Sequence, residues 1–467
     1  MIFTSLTFIL FFGLLLAAFI LLRGNRARQN LLLVASYIFY GAWNPAYLLL
    51  IAACSLWSWG LGFGIYHATS RARRLGYLWV SLGLSLGALG YFKYAGFFVE
   101  NTALLFDLPS ITPLEILLPV GISFFTFQAM SYSIDLYRGR IEPCTSLRRF
   151  LLYIAFFPQL VAGPIVRATE FLPQLERPLR LERQNVIVGS QIFLAGMAQK
   201  LLIADQLAPF VDSLFAQPLL YDSVTLWLGL VSYTIQIFCD FSGYSLMAIG
   251  SARILGFHLP ENFRMPYLSR SIAEFWRRWH MSLSFWMRDY VYISLGGNRT
   301  GPVRTYVNLA ATMLFTGLWH GASWNFVFWG AAHGIGLIIH RLWRQSRPVQ
   351  DSATLIGQFV GWALTLLFVM LLWIPFRAPD FTTAYLYLSG LFGPSGKVSW
   401  LSPTALLLLT AVIMWHLLWL RARIQNWALF PIAEPWRPLP AIVLFSAMLA
   451  IILFAPIGAT PFIYFRF

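Results

Sequence analysis

Residues 304–345 read RTYVNLAATMLFTGLWHGASWNFVFWGAAHGIGLIIHRLWRQ. Arg304 opens the stretch, Arg341 and Arg344 close it, and Arg347 follows. The run 306–340 between them is mostly apolar and is interrupted by GLWHGAS. One helical crossing of a bilayer takes about 20 apolar residues, and arginine collects on one side of the membrane. A longer apolar run with arginine at both ends is therefore expected to enter and return as a hairpin. A helical rise of about 1.5 Å per residue carries the chain roughly 24 Å from Arg304 to His320. That places His320 deep, near the turn.

The rest of the chain agrees with a membrane reading. Of its 467 residues, 58% are hydrophobic and 11% charged, and the mean hydropathy is +0.67. Soluble domains carry about 25% charged residues, so a soluble enzyme, a disordered chain and a secreted disulfide scaffold are all excluded. The formal charge is +15, and Lys93, Lys200 and Lys397 are the only lysines, so the basic residues are almost all arginine. Such a balance raises nucleic acid as a partner, but the arginines fall between apolar spans, where the positive-inside rule accounts for them. No nucleic-acid surface is expected. Cys54, Cys144 and Cys239 are far apart, with no CxxC, and give neither a disulfide framework nor a zinc knuckle. The opening MIFTSLTFILFFGLLLAAFILL lacks a basic n-region and an AxA-like site, and reads as a retained span.

Following the arginines gives a topology. Span 2–22 leads to Arg23, Arg26 and Arg28; span 31–66, broken near Asn44-Pro45, leads to Arg71, Arg73 and Arg74. Span 75–99 exits to Glu100, Asp107 and Glu115, and 116–134 returns to Arg138 and Arg140. The stretch 150–166 has arginine on both sides and FPQLVAGP at its centre, and is expected to be re-entrant. Span 186–204 is expected to exit to a segment holding Asp205, Asp212 and Asp222, and 223–249 to come back. Residues 271–293, SIAEFWRRWHMSLSFWMRDYVYI, read as one amphipathic helix at the interface, with Phe275, Trp276 and Trp279 at helical spacing. Spans 355–374, 404–420 and 440–453 follow. The expectation is an all-α polytopic membrane protein with about 11 full or partial crossings.

Ionisable groups inside a bilayer are functional candidates by default. His320, His280 and Asp240 stand out. A neutral imidazole costs less to bury than a carboxylate and titrates in the range a general base needs; the plainer alternative for His320 is a hydrogen-bonded packing histidine. His280 could anchor a helix at the interface, and Asp240 could be a buried aspartate satisfied by Ser, Tyr or Arg. His333 and His340 read as packing and interface residues. GxSxG occurs as GLSLG (83–87), inside an apolar span and not as a strand-to-helix elbow; HExxH, Walker A and a strand-to-helix GxGxxG are missing from the sequence, and no metal site is expected. Two function classes stay open: an integral-membrane transferase whose buried histidine activates a hydroxyl, and a transporter with a histidine relay. A transporter predicts polar groups spread over related halves. Here they concentrate between Gln236 and His333, which favours one chemical site.

WRRWHMSLSFWMRDYVYISLGGNRTG (276–301) and GLWHGASWNFVFWGAAHG (317–334) resemble the membrane-bound O-acyltransferase (MBOAT) family, in its bacterial polysaccharide, alginate-type O-acetyltransferase branch. LPVGISFFTFQAMSYSIDLYRG (118–139), FFPQLVAGPIVR (156–167) and CDFSGYSLMAIG (239–250) extend the likeness. The resemblance implies one membrane-embedded domain over 1–467: N-terminal spans 1–145, a catalytic core 146–345 with re-entrant segments, and C-terminal spans 346–467. It implies a helical bundle with a central tunnel, His320 as the family's essential histidine and His280 as its second. No bound cofactor is implied; acetyl-CoA is the donor substrate. The acceptor would be a periplasmic or extracellular polysaccharide, reached through an SGNH-hydrolase-like partner, and the location the bacterial inner membrane. Asp240, Ser242, Tyr244, Trp279, Arg277, Arg278, Asn298, Arg299 and Trp319 are the expected substrate-binding set, the arginines holding CoA phosphates. Leu246 stands where relatives of this branch carry an acidic residue, and Ser294 where they carry proline. The glycan therefore stays open between alginate, cellulose, peptidoglycan or another, and a teichoic acid, lipid or protein acceptor is the alternative.

Overall fold

The computed structural model describes residues 1–107, 116–161, 163–299, 301–346, 354–393, 396–424, 446 and 448–455. Their regular structure is helical, with no named strand; one isolated bridge pairs Tyr221 with Val398. Six of their helices are long and apolar enough to cross a membrane: Tyr47–His67, Arg71–Leu105, Arg183–Ala216, Ser223–Ile254, Leu355–Arg377 and Pro403–Arg421. Leu6–Leu21 is a shorter apolar helix. Half of the span expected at 440–453 lies outside the described residues. The chain divides into two compact units, Met1–Phe193 with Met247–Pro260, and Leu194–Leu246 with Glu261–Phe467.

In the first unit, the expected break at Asn44-Pro45 separates Asn25–Gly41 from Tyr47–His67. The Ala46 N–H donates to the Asn44 side chain at 3.0 Å, the local turn that such a pair favours. The stretch expected to be re-entrant is a broken helix. Leu147–Ala155 stops at Phe156, a four-residue turn Phe157–Leu160 follows, and nearly all of it is buried. Backbone interrupted at membrane depth survives only when protein satisfies its polar groups, and here protein does. The Phe157 N–H donates to Ser36 Oγ at 3.1 Å, Gln159 Nε2 donates to the Tyr153 carbonyl at 2.6 Å, and Tyr153 Oη donates to the Val166 carbonyl at 3.1 Å.

In the second unit two expectations are corrected. The chain does not leave its helix at Ala204. It passes through a π-turn, Gln199–Ala204, and continues helical to Ala216, so Asp205 and Asp212 lie on the helix rather than in an exit segment. The reason is Lys200, whose Nζ lies 2.6 Å from Asp205 Oδ1 and makes that buried carboxylate tolerable inside the helix. Residues 271–293 are likewise not one helix. Ile272–Trp276 and Met281–Trp286 are separate pieces, followed by a π-turn, Met287–Tyr292. The break falls at His280, which adopts a left-handed backbone with φ 42° and ψ 54°.

The hairpin that opened the reading is present as Pro302–His320, a turn, and Trp324–Gln345. Its helices meet at two glycines. A Cβ on Gly317 would stand 2.2 Å from the Phe326 carbonyl oxygen, and one on Gly330 would stand 2.4 Å from that of Met313. Only a residue without a side chain lets the backbones come so close. Asn325 Nδ2 then ties the turn to the Ala378 carbonyl at 2.9 Å.

Candidate active site: two histidines in an aromatic cage

His320 is the last residue of its helix, so the hairpin turn carries the imidazole directly. Its side chain is buried, against the edges of Trp319, Trp329 and Phe376 at centroid distances of 5.0, 5.0 and 5.2 Å. His280 arrives by another route. The chain after Trp276 tightens into a turn, with the Arg278 and Trp279 N–H groups donating to the Phe275 carbonyl at 2.9 and 2.8 Å. The left-handed residue that follows throws the ring inward, where it is fully buried. Phe241 and Trp319 flank it at 4.6 and 5.4 Å.

The two imidazole centroids lie 6.4 Å apart. Trp319 touches both rings, and Phe241, Trp329 and Phe376 close the sides. Hydrogen-bond reach is about 3 Å from each ring nitrogen, so a carbonyl and an attacking hydroxyl placed between the rings can be touched by both. The aromatic walls keep water away, and in such surroundings each hydrogen bond to a developing charge counts for more. The pair can therefore do proton transfer on one side and carbonyl polarisation on the other.

The expected binding residues separate into groups. Trp319 is part of the cage. Trp279 is buried one layer away, stacked on Phe275 at 5.6 Å and meeting Trp373 at 5.0 Å. Asp240, Ser242 and Tyr244 belong to a second polar cluster. Lys200 Nζ lies 2.8 Å from Asp240 Oδ1, Ser242 Oγ donates to Gln199 Oε1, and the Lys200 ammonium sits 5.6 Å from the Tyr244 ring centroid. Phe241 links the two clusters, since its chain neighbour Asp240 faces Lys200 while its ring packs on His280. Arg278 is held by Glu274 at 2.6 Å. Arg277, Asn298 and Arg299 are exposed, Asn298 accepting from Tyr292 Oη and from Arg341 Nη1 at 3.4 Å. They do not line the cage. His333 packs face to edge with Trp329 at 4.5 Å and accepts from Trp276 Nε1 at 3.3 Å, as a packing histidine does.

Sequence reasoning missed Lys200, Asp205, Phe241, Trp329 and Phe376. Lys200 carried a usable signal, being one of only three lysines and lying inside an apolar run. The aromatic walls carried none, because phenylalanine and tryptophan are common everywhere in this chain.

A polytopic helical chain that buries two imidazoles side by side has the makings of an integral-membrane group-transfer enzyme. It belongs to the membrane-bound O-acyltransferase family, whose model matches residues 144–374, a stretch containing both histidines. It is 43% identical over 394 residues to the probable alginate O-acetylase AlgI of Pseudomonas putida, covering 82% of this chain and 79% of that protein. The corresponding protein of Azotobacter vinelandii is 42% identical over 403 residues, covering 84% and 78%. The peptidoglycan O-acetyltransferase of Helicobacter pylori is 36% identical over 393 residues, covering 78% and 74%. The chain is thus a multi-pass membrane acyltransferase.

Proposed function

We propose that this enzyme takes acetyl from acetyl-CoA on the cytoplasmic side of a bacterial inner membrane and delivers it to hydroxyls of a surface polysaccharide. The observation that carries the reading is the pair of buried imidazoles 6.4 Å apart in one aromatic cage. In the proposed step an acceptor hydroxyl attacks the thioester carbonyl carbon while His320 takes its proton. His280 donates a hydrogen bond to the carbonyl oxygen as it gains negative charge. The carbon–sulfur bond then breaks, the leaving thiolate takes the proton from His320, and an ester and free CoA result. The acceptor is the polymer itself or a hydroxyl on an SGNH-hydrolase-like partner that passes the acetyl on. Exposed Arg277 and Arg299, with Asn298, supply the cations and amide suited to the CoA phosphates. The relatives named for alginate and for peptidoglycan acetylation support a glycan acceptor.

His320→Ala, present in the membrane at wild-type level, tests the reading through polymer-bound acetate. General-base help is worth about 10²–10⁴-fold, so acetate should fall at least about 100-fold. Unchanged O-acetylation would remove His320 from this role.

A further inference from the structure

His280 is one of three non-glycine residues with positive φ among the described residues, the others being Asp107 and Met265. A left-handed backbone at such a residue is strained and persists only where its surroundings over-determine it. The surroundings here are specific. Residues 262–264 run beside 278–282 and pair with them through the backbone: the Met281 N–H donates to the Asn262 carbonyl and the Arg264 N–H to the Arg278 carbonyl, both at 2.9 Å. Those two bonds bracket His280. Met265, with φ 44°, lies at the end of the same paired segment.

The side chain of Asn262 completes the clamp. It is buried, and its Oδ1 accepts from the Ser282 N–H at 3.3 Å and from Ser282 Oγ at 3.0 Å. Its Nδ2 donates to Ser245 Oγ at 3.0 Å. Ser245 lies on the Ser223–Ile254 helix, four residues past Phe241, whose ring packs on His280. One amide therefore fastens the chain just after His280 to the helix that supplies a wall of its cage.

We propose that Asn262 is a positioning residue, fixing the imidazole of His280 against that of His320 by holding the left-handed turn. The inference rests on the acyl-transfer reading of the two histidines. Asn262 reaches the reaction only through His280, and this separates it from a residue that merely stabilises the fold.

The test is a double-mutant cycle in the detergent-solubilised full chain, with alginate supplied as the acceptor and acetyl-CoA turnover followed as CoA release. A misplacement of about 1 Å can cost about 100-fold in rate. Asn262→Ala should lower kcat by about that factor and leave the KM for acetyl-CoA within about twofold. Asn262→Asp keeps the acceptor for Ser282 and can accept from Ser245, and should recover most of kcat. In a His280→Ala background, Asn262→Ala should change kcat by less than about twofold, because interactions that act as a unit are not additive. Full kcat in Asn262→Ala, or an equal loss with and without His280, would overturn the proposal. If Asn262→Ala does not accumulate, the double variant Ser245→Ala/Ser282→Ala replaces it and is read the same way, unchanged kcat again overturning it. Failure of the underlying reading looks different: His280→Ala and His320→Ala would then both turn over acetyl-CoA at the wild-type rate.

Discussion

Trp319 contacts both imidazoles, at 5.4 and 5.0 Å, and so sets the distance between them as well as their dryness. Trp319→Phe keeps an aromatic wall and should retain most of the acetyl transfer. Trp319→Ala opens the cage and should lose at least about tenfold, within the range that orientation alone can command; CoA release compares the two, and equal rates would show that the ring does not position the pair. Lys200 makes a different demand. It faces Asp205 and Asp240 at 2.6 and 2.8 Å, with all three side chains almost wholly buried. Removing one partner of a buried ion cluster strands the others, at a cost of about 3–5 kcal/mol. Lys200→Met should therefore lower the thermal melting point of the purified protein well below that of Lys397→Met, whose side chain is outside any such cluster in the described residues. A melting point equal to wild type would mean that the aspartates are stabilised in some other way.

At the scale of elements, the hairpin depends on the Gly317 and Gly330 crossing, where a side chain would run into backbone. Gly330→Leu should force the helices apart and abolish acetyl transfer even where the protein accumulates, and activity near wild type would contradict this packing. The Ser223–Ile254 helix opens with Asp222, whose Oδ1 accepts from the Thr225 N–H at 2.8 Å. The Thr225 hydroxyl and N–H hold the Asp222 carboxyl below its usual range. A depressed folded pKa stabilises above the unfolded value, about 3.9, and that contribution disappears as pH falls through the folded value. Asp222→Ala should thus melt earlier than wild type at pH 7, with the difference closing below about pH 4. Elements of this kind differ in how far they could be read in advance. Asn44-Pro45 and GLWHGAS are local signals, turn chemistry set between apolar runs, and both breaks occur where the residues put them. The left-handed turn at His280 was invisible because residues 262–264, not its own neighbours, hold it. The continuation past Ala204 was hidden for a similar reason. Asp205 reads as an exit signal until Lys200 is seen to neutralise it. The helix Phe381–Phe392 is shorter than a crossing, so its apolar run lacks the length that marks a span.

For the whole molecule, few charges and many arginines left two functional classes open, transfer and transport, and the structure places the sparse polar groups in a way that separates them. Within the second unit one cluster is ionic and closed on itself around Lys200, and the other is a pair of imidazoles walled by aromatic rings. A relay would thread polar groups along several spans; a transfer centre gathers them at one point, as here. The orientation expected from the arginines can be checked independently. Cysteines placed at Arg71 and Arg344 in an otherwise cysteine-free chain should both be labelled from the cytoplasmic side, since both follow apolar spans on the arginine-rich side, and labelling from opposite sides would refute that topology. The most direct measurement concerns chemistry. Purified full-length protein in lipid vesicles is incubated with acetyl-CoA labelled in the acetyl group and with alginate as the acceptor, and CoA release is followed for wild type and His320→Ala. Release that falls at least about 100-fold in the variant, at equal protein and with the melting point unchanged, is the expected result. Equal release from both proteins, or movement of acetyl-CoA without cleavage of the thioester, would contradict the assignment of the histidine pair as the site of transfer.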